Sequence, residues 1–256
     1  MVPTPGSGPS PSLLPPPPPG IGNLPGAGAY AGGGIVFASA GDALTWPFGD
    51  PGWLRKVAVM GLICLLFIVP VIGWIIVPMA VLGWMLISLD NLRAGRRELA
   101  PAGFHLRRGA PLFVVLVVYG LGLLVVVTIL GALTGGLSGS SSRGAGGGVA
   151  QLVNLVGGLA LTFLFPSIAL ATERGGIGAG LNLPAVVDGA RLKRGVTVIA
   201  GLFLILTEII GALGLIACLI GVIFTIAYAY AVNAGLIRWY ETQSGAVAST
   251  AIAGPV

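Results

Sequence analysis

The chain has 256 residues, 55% hydrophobic and 8% charged, with a formal net charge of +5 and a mean hydropathy of +0.99. A soluble domain carries about 25% charged residues, so that class is excluded. The basic excess flanks apolar runs rather than forming a basic face, which excludes nucleic acid as a partner and makes the lipid bilayer the expected one.

Residues 1–49 hold eleven of the nineteen prolines, including Pro15–Pro19, and many glycines. Such a segment buries too little surface to fold, and its Pro run favours polyproline II, so a disordered cytoplasmic tail is expected. It is also a candidate docking segment for a proline-recognising protein, although no basic residue flanks the run to fix specificity. The first 54 residues hold no Lys or Arg, so no signal-peptide n-region is expected, and insertion is assigned to the first membrane helix.

The membrane-embedded helical domain is expected over residues 50–241. Pro51 suits a first helical turn with Asp50 as its N-cap, and Trp53, Arg55 and Lys56 suit the headgroup level. The run Val57–Leu89 has 33 uncharged residues. One helix of that length would measure about 50 Å against a core of about 30 Å, and two full spans would be tight. Pro70, Gly73 and Pro78 lie where a hairpin needs its turn. A hairpin places twelve Lys and Arg on one face against Arg143 alone, whereas a single crossing gives ten against three. The positive-inside rule favours the hairpin, short or re-entrant.

After Arg93 comes a connector in which Pro101 starts an interfacial helix carrying His105, Arg107 and Arg108. Further spans are expected at about 111–133 and 149–171, the second bent near Pro166, where Thr162 and Ser167 hydroxyls would serve freed backbone groups. Between them, residues 134–148 are rich in Gly and Ser and read as a flexible outer loop. Pro184–Arg194 suits a helix lying on the membrane surface, bearing Lys193 and Arg194. The last run is expected to turn at Gly211–Gly214, giving spans at 196–210 and 215–237 closed by Arg238 and Trp239. Residues 242–256 read as a frayed, flexible tail. Leu54-Arg55-Lys56, Leu106-Arg107-Arg108 and Leu192-Lys193-Arg194 each open a hairpin. They read as a trace of internal repetition or, more simply, as the bases that any helix starting inside requires.

The start Gly49-Asp50-Pro51-Gly52-Trp53-Leu54-Arg55-Lys56 is followed by a hairpin with Pro at its apex, then Asn91-Leu92-Arg93 and a Pro-containing connector. The ending is Ala234-Gly235-Leu236-Ile237-Arg238-Trp239-Tyr240. Over about residues 47–241 this resembles a family of small polytopic prokaryotic membrane proteins classed as a domain of unknown function. The connector lacks the Leu-Pro followed closely by Trp that the family pattern includes. The resemblance implies fold and location, and brings no catalytic residues.

Glu208 is the only acid inside an apolar run, about 21 Å along a helix from Arg194. A carboxylate there is a candidate proton or cation site, with Asn154 and Asn233 as candidate partners. Against that, a turn at Gly211–Gly214 would put it within a turn of the outer interface. Asp90 beside Arg93 reads as an interfacial ion pair. His105 is the only histidine, and Cys64 and Cys218 are far apart in apolar runs, so neither a disulfide framework nor a metal site is expected. Gly175–Gly180 lacks the strand and the Lys-Ser/Thr of a phosphate loop, and Gly131–Gly135 matches a helix-packing spacing.

The sequence therefore predicts an all-α polytopic transmembrane bundle of about six helices in a prokaryotic inner membrane, with both termini cytoplasmic. No cofactor is expected. The favoured function is a non-enzymatic accessory or scaffold component, with protein partners reached through the tail or through transmembrane packing. The alternative is a small transporter or channel for lipid, proton or cation, built on Glu208.

Overall fold

In the computed structural model, the described residues are 34–133, 145–192, 194–216 and 218–252. They are helical, without strands: α1 (Ala40–Thr45), α2 (Trp53–Cys64), α3 (Ile72–Arg93), α4 (Leu106–Leu133), α5 (Ala145–Leu181), α6 (Leu183–Leu192), α7 (Arg194–Ile216) and α8 (Cys218–Ile252). Three helices are long and apolar enough to cross a membrane, at Ile72–Arg93, Leu106–Leu133 and Gly148–Leu181. The pair Ala40–Gly49 and Trp53–Ile68, bent by 95°, makes a fourth if it counts as one span.

The sixteen residues ahead of the expected boundary at 50 are ordered. Ser39 caps α1 through a capping box with Asp42, and a 3-10 turn follows at Trp46–Gly49. Trp46 is buried and donates Nε1–H to the Ala231 carbonyl at 2.9 Å. Tyr228 donates its hydroxyl to Leu44 O at 2.8 Å, which fixes α1 to α8. The rest of the expected tail, residues 1–33, lies outside the described residues.

Val57–Leu89 turns back on itself. α2 continues into a 3-10 turn at Leu65–Ile68, and the chain reverses at Val69–Val71 before α3. Val71 centres a γ-turn closed by Ile72 N–H to Pro70 O at 2.8 Å, with φ 66 and ψ −63. This is a strained conformation for a β-branched residue. The arms close tightly because Gly73 has no side chain: a Cβ there would overlap the Leu66 carbonyl. At the open end, Leu99 N–H donates to Asp50 Oδ2 at 2.8 Å, so the hairpin returns to the end from which it left.

The connector 94–105 is not the expected interfacial helix; it runs irregularly back along α3. Trp84 Nε1–H donates to Ala100 O at 2.9 Å, Ala100 N–H to Ser88 Oγ at 3.0 Å, and Asn91 Nδ2–H to Glu98 O at 3.0 Å. These bonds supply partners that a helical connector would have found within itself. They also cover the second half of α3, whose Trp84, Met85, Leu89 and Leu92 are fully buried. α4 therefore starts beside the middle of α3. A Cβ at Gly83 would overlap His105 O, and one at Gly109 would overlap Met79 O. Counting antiparallel from that crossing, α4 rises about 20 Å past the hairpin tip. The hairpin is the short kind.

α4 and α5 form a longer antiparallel pair. Arg108 meets Glu173, Leu123 meets Gly157, and Gly131 meets Ala150, a constant register. α5 continues as helix through Pro166, and its non-helical residue is Gly176 (φ 71, ψ −164). The Thr162 hydroxyl has Gly158 O and Glu208 Oε1 both at 3.2 Å and shares its one proton between them, and the Ser167 hydroxyl pairs with Tyr240. After Gly176 the chain folds back, and Tyr119 donates to Gly180 O at 2.8 Å. α6 is a helix over the segment expected to form one, with Val186 and Ala190 buried and Leu192 exposed. α7 and α8 pack antiparallel, and α7 runs through Gly211 and Gly214 to Ile216, so the turn expected at those glycines is not there; residue 217 lies outside the described residues. α8 also continues through the segment expected to fray. Of the expected outer loop, residues 134–144 lie outside the described residues, and 145–148 already belong to α5.

Candidate functional site

The sequence sets Asp90 and Arg93 one turn apart at the end of α3, Arg108 in the first turn of α4, Glu173 and Arg174 next to each other on α5, and Arg238 and Glu241 one turn apart on α8. Helix packing brings all seven together. Arg93 is 7% exposed in its side chain. Its Nε donates to Glu241 Oε2 at 3.0 Å, its Nη2 to Glu241 Oε1 at 3.1 Å, and its Nη1 to Asp90 Oδ1 at 3.2 Å. Glu173 Oε2 lies 2.8 Å from Arg93 Nη2 in an ion pair. One guanidinium thus holds carboxylates from α3, α5 and α8, using the planar fork that only Arg offers.

The rest of the network closes around it. Arg108 Nη2 reaches Asp90 Oδ2 at 2.9 Å and also Glu173 Oε1. Arg238 Nη1 donates to Glu241 Oε2 at 3.1 Å and Nε to Ile35 O at 2.9 Å, which ties in the segment ahead of α1. Arg174 approaches Glu241 at 3.8 Å from an exposed position. Next to the network, the Tyr240 hydroxyl lies 2.8 Å from Ser167 Oγ and 3.4 Å from Thr197 Oγ1, all buried. Such a cluster gains little net stability over an apolar replacement, because desolvation offsets attraction. What it supplies is register: α3, α4, α5 and α8 meet in one arrangement that pairs these charges.

A second ionic site joins the two ends of the hairpin. Asp50, 3% exposed, accepts from Lys56 Nζ at 2.7 Å, Gly52 N–H at 2.7 Å and Leu99 N–H at 2.8 Å. Desolvation alone would raise this carboxyl. The Lys56 ammonium and the two backbone donors together outweigh it and hold the group below its ordinary 3.8. Asp50 is therefore not the N-cap of α2, which follows Gly52 and has no side-chain cap.

The expected headgroup anchors divide in two. Arg55, Arg107 and Arg194 are exposed, and Lys193 lies outside the described residues. Lys56, Arg93, Arg108 and Arg238 are spent in ion pairs. Trp239 is buried, and Trp53 packs edge-on against Phe48 with ring centroids 4.8 Å apart. Counting charges among terminal runs hid this, because bases that hold helices together and bases that face lipid headgroups look alike in sequence. Glu173, Glu241 and Tyr240 were missed. Five of the eight acids, Asp90, Glu98, Glu173, Asp188 and Glu241, sit within three residues of an Arg in the basic clusters, so proximity in sequence alone did not single out the three that join the network.

Glu208 is exposed and accepts from Thr162 Oγ1 at 3.2 Å. Its expected partners are placed elsewhere. Asn154 is exposed, about 12 Å along α5 from Thr162. Asn233 Oδ1 accepts from Thr207 Oγ1 at 3.2 Å. His105 Nε2 is 2.8 Å from Pro101 O. Among the described residues no group of three His, Cys, Asp or Glu is placed to hold a metal ion. No protein-family model, curated protein or solved structure matches the chain.

Proposed function

We propose that the protein is a non-enzymatic, accessory or scaffold component of a prokaryotic cell membrane, multi-pass, with both termini cytoplasmic and a re-entrant α2–α3 hairpin. The observation that carries this reading is how the charges are used. Lys56, Arg93, Arg108 and Arg238 are matched by Asp50, Asp90, Glu173 and Glu241, and the matched set holds helices to one another. The exposed remainder at that end is Arg55, Arg96, Arg97, Arg107, Arg174, Arg191 and Arg194 against Asp42, Glu98 and Asp188. A surplus of exposed arginine at one end fits the cytoplasmic face of a membrane protein. Polar groups that bind each other leave little for a solute, which weighs against the transporter alternative built on Glu208.

Two measurements test this. An impermeant thiol reagent should reach Ser140→Cys from outside, Arg107→Cys from inside, and Ile72→Cys, at the hairpin tip, from neither side. Labelling of Arg107→Cys from outside would invert the topology, and labelling of Ile72→Cys from outside would make the hairpin two full spans. Purification in mild detergent should return a stoichiometric partner; a lone monomer with solute flux in vesicles would replace this reading with the transporter.

A further inference from the structure

No charged residue occurs from Val57 to Leu89, and the apex of that run is free-standing. Every residue from Leu66 to Ile72 is exposed, with Ile68 at 71% and Val71 at 70%, and Trp74 follows at 68%. From Ile76 to Arg93, by contrast, no residue of α3 is exposed. The apolar surface of α3 is therefore confined to the hairpin tip. With Met79 packed on Gly109, Ile72 stands about 10 Å above Gly109, whereas Leu133 stands about 36 Å above it. The uncharged stretch of α4 covers a hydrocarbon core of about 30 Å, so the tip ends inside the nearer half, about 15 Å deep. It cannot lengthen, because the γ-turn from Pro70 to Ile72 and the contact of Gly73 with the Leu66 carbonyl close it.

We propose that this tip is a wedge, and that the protein recognises membrane curvature, preferring bilayer that is convex toward its basic end. The proposal rests on the re-entrant reading of the hairpin and names what re-entry does to the bilayer. α4 and α5 keep one register from Arg108 and Glu173 to Gly131 and Ala150, and so displace lipid from both halves. The tip displaces it from the nearer half alone. Lipid there is crowded, and curvature that spreads that half relieves the crowding. A hairpin that only joined α2 to α3 could turn where protein still covers it. This one carries Phe67, Ile68, Val71 and Trp74 beyond that cover, where hydrocarbon buries them.

The test uses the full-length protein in giant vesicles of phosphatidylcholine, a neutral lipid, so that the basic end does not sort by charge. A dye on Arg107→Cys, in a chain with Cys64 and Cys218 replaced by Ala, reports density. An impermeant quencher separates copies with the basic end outside from those with it inside. On narrow tubes pulled outward, the first population should be enriched at least about twofold over the flat vesicle and the second depleted. Phe67→Ala with Trp74→Ala trims exposed side chains only and should weaken both effects. Equal density of the two populations on the tube, the same sign for both, or the reverse pair of signs would overturn the proposal. So would sorting that the trimmed variant leaves unchanged. Accessibility of Ile72→Cys tests re-entry separately: absent sorting, with that thiol unlabelled from either side, removes the wedge alone.

Discussion

Replacing Arg93 by Met leaves the length and packing of the side chain nearly unchanged and removes the one group that touches three carboxylates. Arg93 is 7% exposed, Glu173 7% and Glu241 14%, so solvent does little to screen the loss. Breaking a buried pair from one side costs about 3–5 kcal/mol. Glu173 keeps Arg108 and Glu241 keeps Arg238, so the lower end, about 3 kcal/mol, is expected. Arg108→Gln is the comparator: at 39% exposed its pairs are screened, and about 1 kcal/mol is expected. The decisive variant is Arg93→Met with Glu173→Gln and Glu241→Gln. Removing the orphaned charges should recover most of the loss, because a neutral cluster no longer contains an unpaired ion. Unfolding in mild detergent, followed by denaturant titration, measures all three. The reasoning fails if Arg93→Met costs no more than Arg108→Gln, or if the triple variant is less stable than the single one.

Two further outcomes are expected. At the hairpin tip, Gly73→Ala should lower stability by about 2 kcal/mol, whereas Gly120→Ala, with open space around it, should be silent; Val71→Gly should raise stability by about 1 kcal/mol by relieving the positive φ. The pair of opposite signs, read by unfolding in detergent, separates strain from simple sensitivity of the tip. For Asp50, the folded carboxyl is depressed below 3.8, so its stabilisation is present above about pH 4 and is lost as pH falls through the lower folded value. The stability difference between the unmodified chain and Asp50→Asn should hold steady from about pH 7 to 4 and shrink below that. A difference that grows on acidification would contradict the assignment.

Helix class and the hairpin were legible because they rest on signals that one chain carries by itself: long apolar runs and the one-sidedness of its bases. The count of bases picked the hairpin over a single crossing, and the Leu99–Asp50 bond joins the two ends as that count requires. Boundaries were less legible where composition misled. Residues 34–49 were grouped with the Gly- and Pro-rich segment before them because they too hold no Lys or Arg, yet they carry only three Gly and one Pro, Trp46 and Ala43 bury against α8, and Ser39 caps a helix. Gly211 and Gly214 look like a turn, but in an apolar setting glycine continues a helix when nothing else satisfies its backbone. The break at Gly176 was not read from the sequence; it needs glycine because φ 71 with ψ −164 is closed to other residues. The connector was unreadable for a different reason: its backbone partners are Trp84, Ser88 and Asn91, on a helix already passed.

The ion network and Glu208 treat acidic side chains in opposite ways. At the basic end each buried acid arrives with an arginine from another helix, and three carboxylates share Arg93, so assembly of the bundle itself removes the cost. Glu208 has no such guanidinium among the described residues, only the Thr162 hydroxyl.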